Sequence, residues 1–450
     1  MQDIQQVIEE RKQVYVDWLV RLCQQPSIAA QNVGMVETAE LVEELLRGVG
    51  IEARRIPTSG FPVVYGAVGA GEKTLAFYNH YDVQPPEPLE EWLSDPFAAE
   101  IRDGALYARG VADNKGNIVA RLAAVDAYVR ARGRLPEQLK VKFIIEGEEE
   151  IGSIHLDEFA QANRDLVQAD GCIWEAGYAD PQGRRQIYLG AKGILYAELT
   201  ARAANVDLHS SWATIVPNPA WRLLHALRSL RDAEGRVLIP GFYDRVRPLT
   251  DADRAALQRM PFDEEGYLQQ LGLDAFNHHL TGLPLLEQHL FQPTCNICGL
   301  WSGYTGAGSK TVLPREAKVK LDFRLVPDQD PGEIADLLVE HLEREGFGDV
   351  EVVTMEPEHP ARTPLDHPFV DLVVETSREV YGQEPVVYPT MAGTGPMYVL
   401  CQQFDIPCVS VGVGHSDSRN HAPNENILLE DFYQGILHLA AILERFPAMD

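Results

Sequence analysis

The 450-residue sequence has little cysteine, little positive charge and no long apolar run. Its six cysteines, Cys23, Cys172, Cys295, Cys298, Cys401 and Cys408, are scattered. That density is far below a disulfide-stapled scaffold and fits a cytoplasmic protein. Cys295 and Cys298 form a C-x-x-C without a second pair, which reads as two strand or loop thiols rather than a zinc or redox motif. Basic residues number 39 against 67 acidic ones, a net charge of -28. Such a surface repels phosphate backbones and argues against a nucleic-acid partner. No stretch of about 18 apolar residues exists, so no membrane-spanning helix is expected. The N-terminal segment lacks a basic start followed by an apolar stretch, so no secretory signal is expected. Val14, Trp18, Leu19 and Leu22 recur there at helical spacing instead. Internal repeats and low-complexity tracts are also missing.

What is present is a chain long enough for two or three domains. In the first part, helix and strand signals alternate. VETAELVEELLRGVG and GNIVARLAAVDAYVRARG read as helices, and TLAFYNHYDV, VKFIIEGE and DGCIWEA as short apolar strands running into polar segments. This alternation predicts an α/β fold with a largely parallel sheet and helices on both faces. Ligands bind such sheets at the carboxyl ends of the strands. Near residue 198 the pattern changes. ILYAELTARAANVDLHS reads as an edge-type strand, NPAWRLLHALRSL as a helix capped by Asn218, and 231–293 as a charged, proline-rich insertion. AKVKLDFRLVP reads as a half-exposed strand and DPGEIADLLVEHLEREG as a helix, so this block has antiparallel α+β character. After about residue 363 the first pattern returns, with a buried strand PCVSVGVG and a closing helix. The expected organisation is therefore one domain from 1–197 and 363–450, interrupted by another from 198–362.

The residues that can carry chemistry cluster after the strands of the first pattern. His80 and Asp82 follow TLAFYN, two apart, so that the carboxylate can fix the imidazole's tautomer; alone, this H-x-D is a weak signal that reads first as a surface histidine. Asp113, in RGVADNKG, precedes a long helix and reads either as its cap or as a carboxylate bridging two metals. EGEEEIGS places Glu146, Glu148, Glu149 and Glu150 after the buried strand VKFII. This is either a solvated acidic turn or a site whose charge cations neutralise, one glutamate binding metal while its neighbour handles protons. Glu175 follows a fourth strand, and His421 lies in SRNHAPNE after PCVSVGVG. Taken together, two histidines and three carboxylates, one of them shared, at successive strand ends suit a pair of zinc-type ions.

These motifs, in this order, resemble the co-catalytic zinc metallopeptidase family of aminoacylase, glutamate carboxypeptidase and carnosine dipeptidase. The resemblance covers nearly the whole chain. EGEEEIGS, the long insertion, and KTVLP followed by FRLVP place it nearest the carnosinase-like dipeptidases. The resemblance implies that His80 and Glu175 are terminal ligands of one metal, oriented by Asp82, that Asp113 bridges, and that Glu150 and His421 complete the second metal. It makes Glu149 the general base. In place of the family's D-x-H-S-G stands Asp207-Leu208-His209-Ser210-Ser211, with serine for the glycine. His209 is then the histidine of the inserted lid/dimerisation domain that reaches a partner subunit's active site. Arg324 matches the arginine that grips the substrate carboxylate, and Thr311 and Thr394 match substrate-contacting positions. Glu175 departs from the aspartate usual in the family's dipeptidases and agrees with its carboxypeptidases and deacylases. Asp170 and Asp180 are rival candidates for that ligand, and His415 and Asp417 fit less well than His421. His278-His279, remote from carboxylate motifs, reads as surface. The run from Gly303 to Lys310 fails as a P-loop because Ser309 separates glycine from lysine.

The resulting expectation is a di-metal amide hydrolase, a homodimer acting on small peptides, dipeptides above all. It would use two divalent ions, zinc or, at such mixed nitrogen and oxygen sites, manganese or cobalt. The enzymatic alternative is an N-acyl amino-acid deacylase or carboxypeptidase with the same metal site. The alternative from another class is a metal-stabilised binding protein without catalysis.

Overall fold

The computed structural model describes residues 1–449, without the side chain of Glu356. The chain divides into two compact units. The first comprises 1–190, 362–390 and 396–450; the second comprises 191–361 and 391–395. The strand Gly193–Arg202 thus lies wholly in the second unit and runs across the 197/198 boundary expected from sequence. Among the described residues no helix is long and apolar enough to cross a membrane.

The first unit is built on a six-stranded sheet, in the order Glu52–Ile56, Val63–Val68, Leu139–Glu146, Lys73–His80, Gly171–Trp174, Cys408–Ser410. The last four strands run parallel, and the first two form an antiparallel hairpin at one edge. The parallel strands are almost wholly buried, which is why they read as unbroken apolar runs. Helices Gln2–Gln24, Gly116–Arg132 and Leu429–Arg445 pack with the sheet in one continuous core. Gly116–Arg132 is buried along most of its length and ends at Gly133, whose φ of 82° places it in the left-handed region that favours glycine. In PCVSVGVG only Cys408–Ser410 is strand. The backbone beyond it passes so close to Gly177 that a Cβ on Gly412 would sit 2.1 Å from the Gly177 nitrogen.

The second unit holds a four-stranded antiparallel sheet in the order Asn296–Ser302, Glu316–Leu325, Gly193–Arg202, Glu351–Glu358. Gly193–Arg202 pairs on both sides and is a central strand, not the edge expected from its alternation. Any antiparallel strand with one wet face alternates in that way, wherever it lies in the sheet. Helices Pro219–Leu230 and Pro331–Arg344 cover the dry face through Leu223, Ala226, Ile334 and Leu338. Asn218 caps the first by accepting a hydrogen bond from Ala220 N. The insertion folds into helices Asp251–Arg259, Glu264–Leu271 and Gly282–Phe291, with a small core of Leu257, Leu286, Leu290 and Phe291.

Candidate metal centre

Six side chains of the first unit converge at the carboxyl ends of the parallel strands. His80 is the last residue of Lys73–His80 and pairs in register with Glu146, the last residue of Leu139–Glu146. From there the chain turns into a short 3-10 helix, Glu149–Ile151, that presents Glu149 and Glu150. Glu175 follows Gly171–Trp174 directly. His80 Nε2 lies 3.0 Å from Asp113 Oδ1, 3.6 Å from Glu175 Oε2 and 4.0 Å from Glu149 Oε2. His421 Nε2 lies 3.2 Å from Glu150 Oε2 and 3.4 Å from Asp113 Oδ2. Asp113 thus uses one oxygen towards each histidine, the geometry of a bridging carboxylate.

Asp113 does not cap the helix that follows it. It stands in an irregular turn, Val111–Lys115, with φ -129° and ψ 85° and without a side-chain cap bond. The Asp113–Asn114 peptide bond is cis. The turn is held by Glu425, whose buried carboxylate accepts from Gly110 N, Ala112 N and Asp113 N at 2.8–3.0 Å and from Arg109 Nη1 at 2.8 Å. Asn420 Nδ2 donates to Asp113 Oδ2 at 2.9 Å and to the Tyr178 hydroxyl at 2.6 Å. His421 itself has φ 59°, in the left-handed region that few residues other than glycine adopt.

Asp82 is buried and has two tasks. His80 Nδ1, on the ring edge away from the cluster, lies 3.1 Å from the Asp82 backbone carbonyl oxygen and 3.4 Å from Asp82 Oδ1. The Asp82 carboxylate also accepts from Glu149 N at 3.3 Å and Glu150 N at 2.9 Å. One residue therefore sets both the imidazole and the glutamate pair. The acidic run divides its labour in the same way. Glu146 accepts from the Tyr78 hydroxyl and Ser153 Oγ, and Glu148 bonds His155 and Phe61 N. Only Glu149 and Glu150 turn into the cluster, where Gln84 Nε2 donates to Glu150 Oε2 at 2.9 Å.

The electrostatics are those of an uncompensated acidic site. Burial and then the Glu175 charge hold Glu149 well above the usual carboxylate range. Burial pushes Glu175 up to about 7 against the pull of His80. Hydrogen bonds to Asp113 and Glu150 push His421 up to about 10. Burial would lower His80, but Asp113 and Asp82 outweigh it and keep its pKa well above normal. Glu175 Oε2 is buried without a hydrogen-bond partner. Asp113, Glu149, Glu150 and Glu175 bring four negative charges, which two divalent cations would neutralise. The imidazole and carboxylate atoms approach closely enough to share such ions, as two overlapping sets: His80, Glu149, Glu175 and His80, Asp113, Glu150. Mixed nitrogen and oxygen donors suit zinc, manganese or cobalt. The residues present fit a dinuclear site.

The rival positions are engaged elsewhere. Asp170 accepts from Thr74 N, at the opposite end of the sheet. Asp180 closes its own turn through Gln182 N and Arg184 N. His415 meets Asn426 Oδ1, and Asp417 pairs with Arg419 at the surface. His278 and His279 are exposed in a 3-10 turn.

The remaining candidates belong to the second unit and form two pairs there. His209 and Val312 face each other across a short two-stranded ladder, and His209 Nε2 lies 3.4 Å from Thr311 Oγ1. His209 Nδ1 lies 2.9 Å from Ser211 Oγ and accepts from Ser211 N at 3.2 Å. The serine that replaces the expected glycine thus orients the imidazole. Arg324 Nη1 donates to Thr394 Oγ1 at 2.6 Å.

A mostly parallel sheet whose strand ends gather two imidazoles and four carboxylates defines a metal-dependent hydrolase. Residues 76–445 match the model of peptidase family M20/M25/M40, and the chain belongs to that family. A human Beta-Ala-His dipeptidase is 30% identical over 84% of this chain and 76% of that protein. A Cys-Gly metallodipeptidase of Candida albicans is 26% identical over 99% of this chain and 97% of that protein. The solved structure of an M20 family metallo-carboxypeptidase from Sulfolobus solfataricus is 41% identical, with a TM-score of 0.89, over 97% of this chain and 99% of that one.

Proposed function

We propose that this chain is a di-metal peptidase that cleaves the amide bond of short peptides bearing a free carboxylate, dipeptides foremost. The observation that carries this reading is a cluster with one carboxylate more than two ions need: His80, Asp113 and Glu175 would hold one ion and Asp113, Glu150 and His421 the other, and Glu149, which also lies within ligand reach of His80 and Glu175, is then free to act as a base. When bound, the ions supply Lewis acidity, polarising the amide carbonyl and making water more acidic. Glu149, whose proton affinity burial and Glu175 raise, takes the proton of the attacking water at its carboxylate and returns it to the leaving amine. Asp82 keeps His80 in one tautomer and Glu149 in one position. Arg324 receives the substrate carboxylate as a guanidinium fork and so selects the bond that meets the water. His209 donates to the carbonyl oxygen as it gains charge.

His209 would do so from a second copy of the chain, through a homodimer built on the inserted unit. The edge strand Asn296–Ser302 leaves Ile297, Leu300 and Trp301 exposed, and helix Pro219–Leu230 leaves Trp221 and Leu224 exposed. Unpaired edges and exposed apolar side chains of this kind are covered in stable assemblies.

The carboxypeptidase reading is favoured by the 41% identical Sulfolobus structure and by Glu175, the ligand type of the family's carboxypeptidases. The dipeptidase relatives favour the other. The discriminating experiment strips the metal, restores zinc, manganese or cobalt, and follows a mixed pool by mass spectrometry. Metal-dependent loss of dipeptides alone is the expected outcome. Stepwise trimming of tripeptides from the C-terminus assigns the carboxypeptidase reading, and loss of N-acyl amino acids a deacylase. No turnover with two ions bound would sink the catalytic reading in favour of a metal-stabilised binding protein.

A further inference from the structure

A second cluster of metal-ligating atoms lies in the first unit, built from residues the peptidase reading does not use. Cys172 and Cys408 are register partners on adjacent parallel strands, and Cys401 follows the short helix Met397–Leu400. All three thiols are buried, with relative exposures of 3%, 2% and 1% respectively, and none is in a disulfide. Their sulfur atoms lie within 4.8 Å of one another. Around an ion at a metal–sulfur distance of about 2.3 Å, three sulfurs in a plane stand about 4 Å apart, so the thiols need only a small contraction to share one ion.

The donors in this group are all sulfur, which selects thiophilic cations over the hard and borderline ions suited to histidine and carboxylate. Three donors also differ from the closed four-ligand shell of a structural zinc site. A second observation concerns charge. Arg121 is fully buried and its Nε has no hydrogen-bond partner. Its other nitrogens donate to the carbonyls of Trp174, Glu175 and Val411, and among the described residues no ion pair engages it. The acidic groups that act on it are Cys172, Glu175 and Cys408. A buried cation of this kind calls for a compensating anion.

We propose that Cys172, Cys401 and Cys408 form a three-sulfur site for one thiophilic divalent cation of the cadmium type, separate from the histidine–carboxylate centre. Binding replaces the thiol protons, which leave to solvent. Cys408–Ser410 is the outermost strand of its sheet, so local opening of this edge gives the ion entry. Once bound, the ion ties that strand to Gly171–Trp174, the strand from which Glu175 emerges.

The test uses the intact, reduced chain with its histidine–carboxylate centre already filled with zinc, and Cd(II) as the probe. A thiolate-to-cadmium charge-transfer band saturating at one ion per chain is expected, with three sulfur neighbours by X-ray absorption. In Cys401→Ala cadmium should bind more than about tenfold more weakly, the size that loss of an outer partner alone produces, while peptidase zinc content stays unchanged. A band of equal strength in that variant, or fewer than three sulfur neighbours in the unmodified chain, overturns the site. The X-ray measurement decides the matter even if the variant fails to fold.

Discussion

The two units hold their functional candidates in opposite ways. In the first, His80 is wholly buried and Glu150 nearly so, and three of the six cluster residues have a backing partner: Asp82 for His80, Gln84 for Glu150, Glu425 and Asn420 for Asp113; Glu175 Oε2 is buried without one, and His421 keeps 54% of its side-chain surface. In the second, His209 and Thr311 are exposed and Arg324 keeps 36% of its side-chain surface. Their partners include the hydroxyls of Ser211, Thr311 and Thr394, and Arg324 Nε also lies 3.5 Å from Asp322 Oδ2. The contrast suits the tasks proposed for them. Like charges gathered for metal must be fixed before the ion arrives, because their mutual repulsion would otherwise disperse them. Under the proposed function, groups that meet a substrate must stay accessible, and most of the partners that orient them here are neutral hydroxyls.

Three substitutions probe this contrast. The largest effect belongs to Glu149→Gln, which should retain both ions by elemental analysis and lose at least about 100-fold in kcat. Near-normal turnover would remove Glu149 as the base. His209→Ala comes next: an unchanged melting temperature and metal content are expected, with a rate loss on the order of 100-fold, the size of one lost oxyanion donor. Full activity would make the exposed pair of the second unit irrelevant to the reaction. Glu425→Gln should have the smallest effect, weakening metal binding about 10-fold because it loosens the Asp113 turn without deleting a ligand. A competitive chelator titration measures it; unaltered affinity would show that the turn is held without the carboxylate.

Much of the first unit was legible in the residues. Strands buried on both faces are continuous apolar runs, so TLAFYNH, VKFIIE and GCIW announced a parallel sheet, and the polar residues after them announced its ligand-binding edge. The second unit was harder to read. Gly193–Arg202 alternates like an edge strand yet lies at the sheet's centre, and the charged stretch 231–293 hides three helices around a core of only a few side chains. The alternation records one wet face and carries no information about neighbours.

The sequence by itself determined the inventory: α/β strands ending in His80, Glu149, Glu150 and Glu175, an acidic excess, and a family whose motif order places Asp113 and His421 with them. Periodicity and spacing are local, and a strand end needs only its own few residues to be recognised. Tertiary structure alone decided which acids face the cluster and which support it. Glu146 and Glu148 stand beside Glu149 in the chain, yet bond Tyr78 and His155. Glu425 finds its acceptor role only because Gly110, Ala112 and Asp113, more than 300 positions away, offer it their amides. A carboxylate's role depends on the donors around it, and folding brings those donors from distant parts of the chain.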